Sequence, residues 1–124
     1  MSLEGDLYWL LTNNAAIVVL VAGRVYPLDL PQLPVLPAVV YQSISTVPTY
    51  SQSGNSNLPQ TRVQVSCWAT THTAVISLAK AIKNVLEGRT LIGSGFVQDE
   101  RDVPEPETEY YHRIVDVLIW HSDA

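Results

Sequence analysis

The side chains best able to do chemistry crowd into residues 97–113, VQDERDVPEPETEYYHR. Six of the chain's twelve acidic residues stand here, at 99, 100, 102, 105, 107 and 109, around Arg101 and just before Tyr110, Tyr111, His112 and Arg113. Carboxylates this dense can hold a divalent cation or act as acid and base. They can equally form the solvated corner of a hairpin. Strand alternation turns Asp99 and Arg101 one way and Glu100 and Asp102 the other, so the four charges do not converge. Pro104 and Pro106 extend the backbone and splay Glu105 from Glu107. A calcium loop of the EF-hand kind needs a glycine at its bend, and none follows Gly95. The expectation is a solvated or salt-bridged hairpin. The competing enzyme reading is a metal-dependent hydrolase using Asp99, Glu100 or Asp102, whose cation binding would fall when these become Ala.

Other reactive types are scattered. His72, His112 and His121 lie on different elements, without the i, i+4 spacing of a zinc helix. His72 and His121 are expected to be exposed. Cys67 falls on the apolar face of a strand, where a thiol is a small buried hydrophobe. A Cys67–His112 nucleophile pair stays open, with no local support. The GSG at 93–95 lacks a third glycine and a following helix, and there is no P-loop or nucleophile elbow. No catalytic residue, metal ligand or cofactor site is therefore expected, and the chain reads as a protein without enzymatic chemistry.

These groups must be positioned by a chain of 124 residues, the size of one domain. Its formal charge of −5 disfavours a sequence-blind grip on nucleic acid phosphates. One cysteine leaves no internal disulfide framework and fits a reducing compartment. The apolar run AAIVVLVA, 15–22, is too short to span a bilayer, and Glu4 and Asp6 stand where a signal peptide would be basic. The expected setting is the cytoplasm, without processing and without a membrane.

Periodicity predicts a short amphipathic helix over SLEGDLYWLLTNN, then a second short helix stopped by Gly23. Four prolines from Pro27 to Pro37 make the next stretch an extended connection. Residues 38–46 and 61–69 read as strands, and in the second Val63, Val65, Cys67 and Ala69 oppose Arg62, Gln64, Ser66 and Trp68. Residues 72–87 form the clearest helix, with Val75, Leu78, Ala79, Ile82, Val85 and Leu86 as its stripe, Thr71 or Thr73 as its cap and Gly88 as its stop. GFVQDERD and EYYHRIVDVLIWHS are two more strands. The order of these elements predicts a single α+β domain with helices on one face of a mainly antiparallel sheet.

On the last strand Val115, Val117 and Ile119 form a core row. The opposite row, Ile114, Leu118 and Trp120, is also apolar and is interrupted by Asp116. A sheet covered on one side should be polar on its other face. Trp68, Ile114, Leu118 and Trp120 therefore mark a subunit interface, unless segments 27–37 and 47–60 fold over that face. The fourteen residues VPTYSQSGNSNLPQ are expected to be a mobile docking loop through Tyr50, Asn55 and Asn57.

Taken in order, LYWLLTNN, VAGRVYPLDLPQ, LPAVVYQSIS, RVQVSCWA with its helix, and DERDVPEPETEYYHRIVDVLIWH resemble the tail completion family of long-tailed phages and prophages. The C-terminal block is the most specific part, with its acidic–Arg–acidic triplet, Glu-Pro-Glu-Thr and terminal Trp-His. Val103 stands where an aromatic is common in that family. The resemblance implies an α+β structural protein of the head–tail joining or tail-terminator type. It implies a ring, commonly of six copies, that caps the tail tube and offers a docking surface to the filled head. The implied partners are the chain itself, a tail tube protein and a head-completion or connector protein, in the virion tail and, during assembly, in the host cytoplasm. DNA would pass through the ring without specific binding: the seven Lys and Arg are scattered, and Lys80 and Lys83, which share one helix face, are expected on the ring's outside or at an interface. A monomeric adaptor is the alternative binding role, separated from a ring by its mass.

Overall fold

Leucine is the commonest of the first twenty residues, and the two helices there are joined by one polar residue that does two jobs. The computed structural model, which describes residues 3–28, 35–47, 59–90, 93–104 and 110–121, has α1 at Leu3–Asn13 and α2 at Ala15–Val21. Asn14 separates them: its backbone N–H closes on Leu10, while its side-chain oxygen accepts from the N–H groups of Ala16 and Ile17. α2 ends at Ala22, which adopts a left-handed φ of 50° and donates its N–H to the Val18 carbonyl. Gly23, expected as the stop, follows with φ +81°.

The sheet has six strands: β1 (Val25–Pro27), β2 (Ala38–Val47), β3 (Gln60–Ala69), β4 (Gly88–Thr90), β5 (Gly93–Val103) and β6 (Tyr111–Trp120). Their spatial order is β1-β2-β3-β6-β5-β4, with β1 parallel to β2 and every other pair antiparallel. α3 (His72–Leu86) joins β3 to β4 and is capped by the Thr71 hydroxyl, which accepts from the Ala74 N–H. The expected α+β class, with helices on one face of a mainly antiparallel sheet, is the one observed.

Two short strands depart from expectation. Val25–Pro27, expected to be extended connection, pairs with Val39–Tyr41 as an edge strand, where a proline's missing N–H faces no ladder. Gly88 does not close α3 as a left-handed cap. Glu87 ends the helix in an extended conformation, and Gly88, with φ +86°, opens β4.

The core lies between the helices and one sheet face. Leu7 and Leu11 of α1, Ile17 and Val21 of α2, and Val75, Leu78, Ala79, Ile82 and Leu86 of α3 pack on Val63, Val65, Cys67, Val115, Val117 and Ile119. Each fully buried Leu, Ile or Val adds about 1.5–3 kcal/mol. Among the described residues, no helix lies on the other sheet face.

Candidate functional site

A bulge decides where the acidic triplet points. Val97 pairs with Val117 and packs toward the helices, whereas Asp99, not Gln98, pairs with Asp116. The extra residue reverses the alternation. Without it, Asp99 and Arg101 would face the helices. With it they face the open side, and Glu100 and Asp102 sit at the margin of the helix layer. The alternation expected from the sequence holds within the triplet, and the charges form two separate networks.

On the open face, Arg101 binds Asp99 and Asp116 at 2.7 Å each, and Arg62 reaches the same Asp116 oxygen at 3.2 Å. The Asp116 side chain is only 2% exposed while both arginines are about half exposed. Long guanidinium side chains thus lie over a carboxylate that the strand's alternation places among apolar residues. On the helix side, Lys83 of α3 binds Glu100 at 2.7 Å, and Arg113 bridges Glu100 at 2.6 Å and Asp102 at 2.7 Å. His72 stands 3.7 Å from Asp102. Among the described residues no three His, Cys, Asp or Glu side chains are grouped as a metal ion would need. The described members of the acidic–Arg–acidic motif, with Arg113 and Asp116, are ion-pair locks on two faces. Glu105, Glu107 and Glu109 lie outside the described residues.

Burial pushes the Glu100 carboxyl up, but hydrogen bonds and charge from Lys83 and Arg113 outweigh it and hold the group below its ordinary value. Arg113 likewise holds Asp102 down. A carboxylate with a depressed folded pKa contributes stability that is complete above its unfolded pKa and is lost as pH falls through the folded one. The protein should therefore lose stability on acidification below the ordinary glutamate range. Glu100→Gln should cost about 1 kcal/mol at neutral pH and flatten this acid limb, as read from urea midpoints across pH. An unchanged limb would show that the Lys83–Glu100–Arg113 lock adds nothing.

The other candidate groups fall apart on inspection of faces. Cys67 is fully buried on the helix side, and burial, followed by the Glu100 charge, pushes its thiol up to about 12. His112 projects on the opposite face, so the two cannot form a nucleophile pair. His72 is exposed as expected. His121 is not: it is 5% exposed, and its Nε2 lies 2.6 Å from the Thr61 hydroxyl, which in turn contacts Thr46.

The four residues expected at a subunit interface all lie on the open face, in two groups divided by the Arg62–Asp116–Arg101–Asp99 belt. Trp68 and Ile114 lie at one end, where Trp68 stacks on His112 with ring centroids 3.9 Å apart. Ile114 is itself buried, at 6% exposure. Leu118 and Trp120, both half-buried, lie at the other end. There Phe96, opposite Leu118, is 56% exposed, an apolar side chain that reading the sequence did not single out. Its face follows only from pairing with β6. Tyr50, Asn55 and Asn57 lie outside the described residues.

A family model described as tail completion protein gp17 matches residues 5–122. No curated protein matches the chain. Among solved structures, a chain from the virion of a native gene transfer agent particle is similar, with a TM-score of 0.75 and 12% identity, over 92% of this chain and 90% of that one. At that identity the likeness is one of fold. The family match, running nearly end to end through both ion-pair networks and the open face, shows that this chain belongs to the tail completion protein gp17 family.

Proposed function

We propose that the chain closes the phage tail as a ring of identical subunits, with six copies capping the tail tube and presenting a surface to the head. Membership of the tail completion family makes it a structural tail protein, and the family match over residues 5–122 is the observation that carries the proposal. The fold shared with a chain of a gene transfer agent virion supports a place within a particle. The open face supplies the contact: Trp68, Leu118 and Trp120 are half-buried there and Phe96 is exposed. Its partners would be neighbouring copies, a tail tube protein on one side and a head-completion or connector protein on the other.

Light scattering on the purified protein tests the ring. The expected mass is near six times the 13.7 kDa of one chain, and a single-chain mass at every concentration would favour a monomeric adaptor. A closed ring has heterologous contacts, so its size should not grow with concentration once the ring is complete.

A further inference from the structure

We propose that a cavity beside Trp68 on the open sheet face is a socket for a hydrogen-bond acceptor presented by a second copy of this chain, an inference that rests on the ring reading. The cavity, about 170 Å³, is lined by Val40, Gln42, Gln64, Ser66, Trp68 and His112, among others. The Trp68 Nε1–H is buried and has no hydrogen-bond partner among the described residues. An indole nitrogen can only donate, and a buried donor left without an acceptor is destabilising. The ring cannot easily turn to seek water, because it lies stacked on His112 with only 13° between the planes.

The surroundings select the occupant. Among the described residues the cavity lining has no Asp or Glu, and the amides of Gln42 and Gln64 and the Ser66 hydroxyl can donate alongside the indole N–H. Such a site takes a carboxylate or a carbonyl oxygen. Its size admits a side chain or a turn rather than a folded element. Copies of this chain are rich in suitable groups, with twelve acidic residues against seven Lys and Arg. The cavity also opens on the face that carries Leu118, Trp120 and the exposed Phe96, so a subunit seated there covers both.

The test uses the full chain in two forms. In the wild type, indole ¹⁵N–¹H spectra are recorded above and below the concentration at which rings form. In Trp68→Phe, which keeps a stacking ring and removes the donor, ring dissociation is measured by sedimentation. The socket predicts a downfield move of the Trp68 indole proton on assembly and an assembly constant weakened by about tenfold in the variant. A wild-type resonance that does not move on assembly overturns the socket, whatever the variant does, and leaves the ring intact. A resonance that moves while Trp68→Phe assembles as the wild type does assigns the cavity to water and overturns it too. A wild type that stays monomeric sinks the ring reading and the socket with it.

Discussion

On the proposed ring, Trp120→Asp will yield folded monomers under conditions where the wild type is expected to assemble. Trp120 lies on the face opposite the helices, half-buried, between Gln60 of β3 and Ser94 of β5. The monomer therefore has room to turn a carboxylate toward water, whereas a subunit seated on that face would have to bury it. Central aromatics at interfaces typically contribute about 2 kcal/mol or more on truncation, and a buried unpaired charge adds to the loss. At 2 kcal/mol per contact the subunit dissociation constant rises by about thirtyfold. Phe96→Asp changes a side chain already 56% exposed and should do the same with less risk to the fold. Circular dichroism with light scattering reads both outcomes. Unchanged ring size in both variants would remove this end of the open face from the interface, and unfolding of Trp120→Asp would make Trp120 part of the core.

The second large effect is on folding. Gly95→Ala should destabilise the chain by about 3 kcal/mol, because a Cβ there would lie 2.0 Å from the Leu86 carbonyl oxygen. The obstacle is backbone, so no side chain can swing aside. The end of α3 packs directly on β5, and this close approach seats the helix that carries Lys83 over Glu100. Gly23→Ala is the control: its φ of +81° strains alanine, but nothing lies within 4 Å of the added carbon. That change should cost about 1 kcal/mol. Thermal or urea unfolding compares the two, and equal losses would mean that α3 yields freely at Gly95.

α3 and β3 were legible with their faces because each has a clean period over eight or more residues. β1 and β4 were not. Each has three residues, too few for a period, and β1 pairs in parallel with a strand more than ten residues away. Asp116 was visible as a flaw in an apolar row, but its reason was not. The arginines that hold it come from β3 and β5, and the reach of Arg101 depends on the register set by the bulge after Val97. Phe96 was overlooked for the same cause: only pairing with Leu118 shows that it shares the open face. His121 looked like a frayed terminus, and it is buried because β6 runs alongside β3 and brings Thr61 to its ring.

Electron microscopy of particles assembled with this gene deleted tests the central claim most directly. Filled heads and tails should accumulate unjoined, and supplying the wild-type gene in trans should restore complete particles while the Trp120→Asp gene should not. Joined, normal particles in the deletion would contradict a role in completing the tail.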